Sequence, residues 1–227
     1  MTKDGLSPVA EDYLRLIWKA EERADAAITT NQIATILAVA PSSVSGNLAR
    51  LARAGLIEHE PYGRISLSES GRQRAVALVR RHRIIETYLV ERFGYGWDEV
   101  DAEAEVLEHA VSDRLVDRMD QELGHPTRDP HGDPIPGADG TVHRSSTTRL
   151  NDLPVGAAAQ VDRVSDHSPE LLRYLGTLGI GVGAAVTMLA RRPFADTYAV
   201  GVQGADGHAG TVELAASVAA AIQVTPS

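Results

Sequence analysis

Three helical segments followed by two short strands occupy the first 70 residues, and this order is the strongest constraint on the fold. Residues 7–24, 31–37 and 41–54 carry apolar side chains at helical spacing, and Gly55 is placed to end the third helix. Two strand-like runs then flank a Pro-Tyr-Gly turn at residues 61–63. Helices joined by a tight turn and followed by a β-hairpin are typical of a winged helix-turn-helix domain.

The rest of the chain separates into a helical part and a strand-rich part. Residues 70–124 contain few helix breakers and are predicted to form two or three long helices. Residues 125–148 are dense in Pro, Gly and Asp, which indicates a linker or a surface loop. Short β-type runs after residue 149 surround one helix near residues 168–178, which favours a small β-barrel. The sequence thus predicts a mainly α fold with a small β part, in domains at residues 1–74, 75–148 and 149–227.

Composition narrows the classes of function. The 227 residues include no cysteine, which excludes disulfides, thiolate metal sites and thiol catalysis. The chain has no apolar run of 18 residues, and its N-terminus lacks the apolar segment of a secretory signal. We therefore expect a cytoplasmic protein that does not insert into a membrane.

The net charge of −9 is unevenly distributed along the chain. Residues 75–124 carry 6 basic and 12 acidic side chains, whereas residues 1–74 carry 9 of each. Residues 26–57 hold two arginines and no acidic side chain. The acidic balance therefore argues against coating of nucleic acid by the whole chain, but it leaves the first domain able to contact DNA.

The helix over residues 41–54 is the candidate DNA-reading element. It is the second helix of the helix-turn-helix pair formed with residues 31–37, and in such a pair the N-terminal residues of the second helix contact bases in the major groove. Its short polar side chains can bond phosphates or base edges, and nearby arginines can contact phosphates. The candidate DNA-contacting residues are Ser42, Ser43, Ser45, Asn47, Arg50 and Arg64. The alternatives are that the serines only cap the helix, or that the domain contacts protein. Because the basic surface is short, one copy is expected to bind weakly, and a dimer is predicted.

Carboxylates and histidines recur at helical spacing in the acidic middle of the chain. His82 and Glu86 stand one turn apart on one helix face. A second helix carries four such residues at positions i, i+4, i+7 and i+8, namely Asp101, Glu105, Glu108 and His109. Aligned carboxylates repel one another unless a cation lies among them. A solvated acidic face is the alternative, but apolar residues fill the positions between, so we expect this stripe to face inward with a cation.

The ligand types narrow the choice of cation. One imidazole with several carboxylates and no thiolate is a hard, oxygen-rich set, which suits Mn²⁺ or Fe²⁺ better than a structural zinc site. Intrinsic affinity would rank Zn²⁺ and Cu²⁺ above Mn²⁺, so selectivity must come from coordination number and metal availability.

Several longer strings resemble the diphtheria-toxin-repressor family of metal-dependent regulators, and in particular its manganese-sensing, MntR-like branch. They are EDYLRLIW at 11–18, PSSVSGNLARLARAGLI at 41–57, RRHRIIE at 80–86, DAEAEVLEHAVSD at 101–113 and PHGDPIPG at 130–137. The C-terminal part is similar to the SH3-like, FeoA-type domain of the longer members. The resemblance implies a winged helix-turn-helix, a helical dimerisation domain and an SH3-like β-barrel.

The resemblance also implies a primary metal site that joins the first helix to the dimerisation helix. By position, its ligands are Asp12, Glu105, Glu108 and His109. The iron-sensing branch has a methionine and a cysteine where this chain has Asp12 and Glu105, and replacing sulfur by oxygen favours Mn²⁺ over Fe²⁺. We expect Mn²⁺ as the cofactor, Fe²⁺ as the alternative, and Zn²⁺, Co²⁺ or Cd²⁺ as substitutes in vitro.

A second, ancillary site in the family matches His82 and Glu86, with Asp101 where the iron-sensing branch has a histidine. The third domain contributes ligands in long members, and Asp166 is the matching candidate. Short manganese sensors carry a glutamate where this chain has Arg15. Two separated metal sites are therefore expected rather than a closely spaced pair.

The implied function is that of a metal-dependent repressor of metal-uptake genes. Without metal, repulsion between Asp12 and the glutamates would leave the DNA-binding domain in many orientations. Metal bridging would then shift the population toward a homodimer fixed for operator binding. The expected partners are double-stranded operator DNA and a second copy of the chain, with no membrane.

Four other interpretations remain open from the residues. An iron-dependent repressor of the same family would use the same site. A winged-helix regulator could sense an organic ligand, although aromatic residues make up only 4% of the chain, or its acidic cluster could be purely structural. A metallohydrolase is disfavoured because His-Glu-x-x-His and similar catalytic motifs are absent, so no enzymatic activity is expected. His125, His131 and His143 lie in the loop-rich segment and are expected to be solvated.

Overall fold

The computed structural model of the chain describes residues 6–22, 28–59, 64–143, 145–166, 168–204, 207 and 209–227. Its residues divide into two compact units, which are described separately. The first comprises residues 1–82, 108–111 and 136–141, and the second comprises residues 83–107, 112–135 and 142–227. Among the described residues, no helix combines the length and the apolar character needed to cross a lipid bilayer.

The N-terminal elements follow the predicted order, with an antiparallel pair of strands after three helices. They are α1 (Pro8–Glu22), α2 (Thr30–Ile36), α3 (Pro41–Arg53), β1 (Ile57–His59) and β2 (Ile65–Leu67). Thr29 caps α2 through a capping box with Gln32, and Ala38 turns the chain before α3 with a φ of 52°. The predicted winged helix-turn-helix is confirmed. The predicted hairpin turn at 61–63 and the last residues of the first predicted helix, 23–24, lie outside the described residues.

One apolar core joins these N-terminal elements, because α1, α2 and α3 each turn a stripe of apolar side chains inward. Its innermost side chains, all at most 2% exposed, are Tyr13, Leu14, Ile17, Trp18, Ile33, Val44, Leu48 and Leu51. At the C-terminal end of α1, Glu21 accepts a hydrogen bond of 2.9 Å from the backbone N–H of Leu67 in β2 and pairs with Arg72. The first helix is therefore attached both to the core and to the hairpin.

The acidic middle of the chain is helical, as the sequence predicts. It contains α4 (Glu69–Tyr88), a π-helical turn (Leu89–Phe93), α5 (Val100–Glu108) and α6 (Asp113–Glu122). Gly94 ends the π-helical turn with a φ of 72°, a conformation that glycine adopts without strain. Ser112 caps α6 by accepting a hydrogen bond from the backbone N–H of Leu115. These caps set where each helix begins and ends.

Residues 129–136 form a largely buried loop where the sequence predicts a linker or a surface loop. The Asp129 carboxylate accepts hydrogen bonds of 2.9 Å from the backbone N–H groups of His131 and Asp133. Gly132 has a φ of 88°, and a Cβ atom there would collide with a backbone carbonyl of the C-terminal sheet. The prediction is corrected because a side-chain cap and a close backbone approach compact a segment whose composition alone indicates a loose connection.

The C-terminal part forms an antiparallel sheet of six strands in the order β3-β8-β4-β5-β6-β7. Its elements are β3 (Thr148–Arg149), a 3₁₀ turn (Leu150–Asp152), β4 (Ala158–Val164), α7 (Pro169–Thr177), β5 (Ala185–Arg192), β6 (Thr197–Gln203), β7 (Ala209–Ala215), α8 (Ala216–Ala220) and β8 (Ile222–Pro226). Register shifts in β4 and β5 bend the sheet around an apolar core that includes Val161, Leu175 and Val200. In the described residues β3 and β7 remain the two edges, so the expected barrel is an open, curved sheet. The edge strand β3 is only two residues long, which leaves little backbone for closure.

Candidate metal centres and DNA-reading helix

The first cluster of possible metal ligands lies where α1 approaches the C-terminal end of α5. Asp12 of α1, Glu108 and His109 each offer a ligand atom within 4.8 Å of the other two. His109 Nε2 lies 3.2 Å from Asp12 Oδ1 and 3.5 Å from Glu108 Oε1. Glu108 is buried, whereas Asp12 and His109 are half-buried. Three of the four residues expected in the primary site therefore come together within one compact unit.

Local hydrogen bonds fix the end of α5, where Glu108 is the last helical residue and His109 directly follows it. The guanidinium of Arg81 donates to the carbonyl oxygens of Glu108 at 3.3 Å and Val111 at 2.7 Å. The last carbonyl groups of a helix have no partner within the helix, so a cation at this position satisfies them. Glu105 of α5 is half-buried and lies one helical turn before His109, the residue that directly follows α5, so the two side chains lie on the same face.

The Glu108 carboxylate is held in its charged form by neighbours within the same unit. Its Oε2 lies 2.6 Å from His82 Nδ1 and 3.5 Å from Arg15 Nη1. Burial is the largest single effect and raises the pKa of Glu108, but the His82 hydrogen bond and the charge of Arg15 outweigh it, so the pKa is lowered. A buried glutamate that stays ionised is suited to hold a cation.

The residues of the predicted ancillary site are on α4 and at the start of α5. His82 and Glu86 lie one turn apart on α4, and each is 1% exposed. Glu86 and Asp101, in the first turn of α5, offer ligand atoms within 4.8 Å of each other. The His82 ring is engaged by Arg15, whose Nη1 lies 2.7 Å from Nδ1 and 3.2 Å from Nε2.

A further cluster escaped the sequence analysis and lies in the buried loop. Glu86, Asp129 and His131 are all buried, and each offers a ligand atom within 4.8 Å of the others. His131 is fully buried, which contradicts the expectation that it is solvated. Its Nε2 lies 2.6 Å from the carbonyl oxygen of Trp97, an acceptor that places the proton on Nε2. Its Nδ1 makes no hydrogen bond within the described residues and lies 3.8 Å from Glu86 Oε1.

In the cluster of Glu86, Asp129 and His131, the pKa shifts reflect an excess of buried negative charge. Burial, together with the charges of Asp133 and Glu86, raises the pKa of Asp129 to about 8. For His131, burial is the largest effect and lowers the pKa, but the charges of Glu86, Asp129 and Asp166 outweigh it, so the pKa is raised. Asp166, the candidate from the third domain, is thus close enough to act on His131. The signal that could have revealed this cluster is the Asp-x-His-x-Asp spacing at 129–133.

The candidate DNA-reading residues lie on the surface of α3 and beside the hairpin. Ser42, Ser43, Ser45, Arg50 and Arg64 are exposed and Asn47 is half-buried. The N-cap of α3 is Ala40, with Pro41 in the first turn, so the serines at 42 and 43 do not cap this helix. Arg50 Nη2 donates to Asn47 Oδ1 at 2.8 Å, and Asn47 Nδ2 donates to the hydroxyl of Tyr13 at 3.4 Å. The polar face of α3 is therefore tied to α1 next to Asp12.

Family models match three consecutive stretches of the chain. Residues 5–65 match the N-terminal DNA-binding domain of iron-dependent repressors, residues 68–137 match their metal-binding and dimerisation domain, and residues 148–226 match the FeoA domain.

Two curated relatives resemble most of the chain. The iron-dependent repressor IdeR of Mycobacterium leprae is 32% identical over 195 residues, which cover 81% of this chain and 84% of that protein. The diphtheria toxin repressor of Corynebacterium efficiens is 31% identical over 194 residues, with coverage of 81% and 84%.

Solved structures resemble the whole fold. A manganese-dependent transcriptional repressor in complex with manganese is 46% identical, with a TM-score of 0.90, and the match covers 96% of this chain and 100% of that one. ScaR with bound Cd²⁺ is 33% identical, with a TM-score of 0.80 and coverage of 95% and 98%.

The winged helix-turn-helix, the ligand clusters and these matches define a metal-dependent transcriptional repressor, a DNA-binding protein rather than an enzyme. The chain belongs to the iron-dependent repressor family, which includes the diphtheria toxin repressor, and it carries the FeoA domain, which is SH3-like, as its third part. The resemblance inferred from the sequence is thereby confirmed. The residues alone had also left a winged-helix sensor of an organic ligand and a metallohydrolase open, and the family matches support neither of them.

Proposed function

We propose that this repressor is activated by Mn²⁺ bound at the α1 site, which comprises Asp12, Glu105, Glu108 and His109. The observation that carries the proposal is the convergence of Asp12, Glu108 and His109 ligand atoms within 4.8 Å. Oxygen donors with one imidazole and no sulfur form a hard set, which suits Mn²⁺. The manganese complex of a repressor that is 46% identical supports the same choice.

A divalent cation at the α1 site would balance the carboxylates and bridge α1 to the end of α5. Contacts within the chain would transmit the fixed position of α1 to the two elements proposed to contact DNA, α3 and the hairpin of β1 and β2, because α1 is hydrogen-bonded to both. Tyr13, next to Asp12, accepts a hydrogen bond from Asn47 of α3, and Glu21 accepts one from Leu67 of β2. A fixed α1 would therefore hold α3 and the hairpin in place relative to Glu108 and His109. Two such copies in a dimer would present their α3 helices about 34 Å apart, one turn of DNA.

A second cation is proposed at Glu86, Asp129 and His131, with Asp166 as a further ligand. The buried Nδ1 of His131, which makes no hydrogen bond within the described residues, supports this choice. The sequence-based set of His82, Glu86 and Asp101 shares Glu86 with it. Because Arg15 and Glu108 engage the His82 ring, His131 is the better placed imidazole.

The partners in this proposal are operator DNA and a second copy of the chain, in the cytoplasm. The DNA contacts are assigned to Ser42, Ser43, Ser45, Asn47, Arg50 and Arg64, and the targets to genes for uptake of the sensed metal. In this proposal, residues 1–74 form the domain that binds DNA, residues 75–148 form the domain that dimerises and binds metal, and residues 149–227 form the third domain. Fe²⁺ is the second candidate, because the curated relatives are named iron-dependent.

The test is fluorescence anisotropy with promoter DNA near the gene, titrated separately with Mn²⁺, with Fe²⁺ under anaerobic conditions, with Zn²⁺ and with EDTA. Binding at a lower free concentration of Mn²⁺ than of Fe²⁺, and its loss in EDTA, are expected. Asp12→Ala should abolish metal-dependent binding while light scattering still reports a dimer, and Asp152→Ala, at an exposed carboxylate, should bind as the unaltered chain does. Metal-independent binding, or DNA binding by Asp12→Ala with the metal response intact, would contradict the proposal.

A further inference from the structure

The residue beside Asp12 is a buried glutamate that the functional assignment does not use. Glu11 is 5% exposed, although it carries a carboxylate on the first turns of α1. Its Oε2 lies 2.8 Å from His109 Nδ1. Burying a carboxylate costs free energy unless it is paired and hydrogen-bonded. The contact with His109 offsets this cost for Glu11.

The two nitrogens of the His109 ring face different carboxylates of α1. Nδ1 faces Glu11, whereas Nε2 faces Asp12 Oδ1 at 3.2 Å and Glu108 Oε1 at 3.5 Å. The side of the ring that carries Nε2 is therefore the side on which the ligand oxygens converge. Consecutive residues of a helix point in directions about 100° apart, which lets Glu11 and Asp12 reach opposite edges of one ring.

A neutral imidazole carries one proton, and an ionised carboxylate can only accept a hydrogen bond. A carboxylate at Nδ1 therefore holds the proton on that nitrogen and leaves the lone pair on Nε2. Histidines that bind metals commonly donate their other N–H to a carboxylate, which fixes the tautomer and the orientation of the ring.

We propose that Glu11 is a positioning residue that fixes the tautomer and the orientation of His109, so that Nε2 faces the cation of the α1 site. The inference rests on the proposed function, because it concerns a ligand of that site. Glu11 would thus contribute to metal binding through His109, without being a metal ligand itself. The competing explanation is that the Glu11–His109 pair only attaches α1 to the end of α5.

The test isolates the α1 site in a Glu86→Ala background, because Glu86 is common to both other ligand clusters. In this full-length background, Mn²⁺ affinity is measured by isothermal titration, and the ¹⁴N coupling of the bound Mn²⁺ is measured by pulsed electron paramagnetic resonance. Glu11→Ala should lower the affinity about 10- to 100-fold and weaken or abolish the ¹⁴N coupling. Glu11→Gln keeps the size of the side chain and an acceptor oxygen but removes the charge, so its loss of affinity should be smaller.

Glu22→Gln is the matched control, because Glu22 is also a buried glutamate of α1, at 6% exposure. It should leave both the affinity and the ¹⁴N coupling unchanged. Unchanged affinity and coupling in both Glu11 variants, or an equal loss in Glu22→Gln, would overturn the role of Glu11. A background protein that binds Mn²⁺ without ¹⁴N coupling, or binds none, would instead contradict the α1 site itself.

Discussion

Arg15 Nη1 lies 3.5 Å from Glu108 Oε2, and both side chains are almost completely buried. The same guanidinium nitrogen lies 2.7 Å from His82 Nδ1. A permanent positive charge therefore stands beside a proposed ligand of the α1 site, where it stabilises the ionised form of Glu108. Because like charges repel, this arrangement disfavours a second divalent cation close to the first.

Replacing Arg15 by glutamate should increase the metal content of the protein. Arg15→Glu removes the fixed positive charge and adds a carboxylate, so one additional Mn²⁺ per chain is expected next to the α1 site. Elemental analysis would give the stoichiometry, and exchange coupling in the electron paramagnetic resonance spectrum would report a close pair. Arg15→Met removes the charge without adding a ligand and should not gain the extra ion. An unchanged stoichiometry in Arg15→Glu would show that Arg15 does not limit the site.

Removing His131 should lower Mn²⁺ binding by one ion per chain, because the cluster of Glu86, Asp129 and His131 would lose the imidazole that it has among the described residues. The measurement is the stoichiometry at saturating Mn²⁺. His143→Ala is the control, since His143 belongs to the same Pro- and Gly-rich segment but is exposed, and it should bind as many ions as the unaltered chain. Full binding by His131→Ala would contradict the second site.

The metal-free protein should become less stable as the pH rises from about 4 to about 8. The folded chain keeps the Asp129 proton up to a pKa of about 8, whereas the unfolded chain releases it near the ordinary value of 3.8. Between these values the folded state binds more protons, so the free energy of unfolding falls with rising pH. His131 acts in the same direction, since its raised pKa gives stability that is lost as the pH rises through that pKa.

Urea unfolding in EDTA, at about pH 5.5 and about pH 8, would measure this dependence. Asp129→Asn cannot release a proton, so its free energy of unfolding should vary less between the two conditions. A stability that rises over this interval, or an Asp129→Asn variant with the same slope as the unaltered chain, would contradict the role given to Asp129.

Arg50→Ala should weaken DNA binding to a similar extent across sequences and reduce the slope of log affinity against log salt by about one. Arg50 is exposed on α3 and is oriented by Asn47, so it is placed for a phosphate. Fluorescence anisotropy at several salt concentrations measures the slope. Arg173→Ala, an exposed arginine on α7, should leave affinity and slope unchanged. An Arg50→Ala protein with the original slope would exclude a phosphate contact.

The elements that the sequence predicts well depend on local periodicity. Helical spacing placed Glu105 and Glu108 on one helix, with His109 directly after its end, and the order of helices and strands identified the winged domain. His131 could not be placed in this way, because its hydrogen-bond partner is the carbonyl oxygen of Trp97, 34 residues away in the sequence. The same limit applies to Arg15, whose contact with His82 joins residues that are 67 positions apart. Such contacts depend on how distant segments pack, which periodicity does not encode.

Helix α1 has two points of attachment, the proposed metal site at Asp12 and the hydrogen bond from Leu67 to Glu21, and the distance between them has a mechanical consequence. Asp12 and Glu21 are nine residues apart, which corresponds to about 14 Å along the helix axis. A tilt of α1 by roughly 5° about Asp12 would therefore displace the Leu67 end by about 1 Å, a distance comparable to the tolerance of a hydrogen bond. In the proposed DNA complex, the accuracy with which the hairpin meets DNA would thus depend on the orientation of α1 at Asp12, and a loosely held helix would misalign a hairpin that is itself correctly folded.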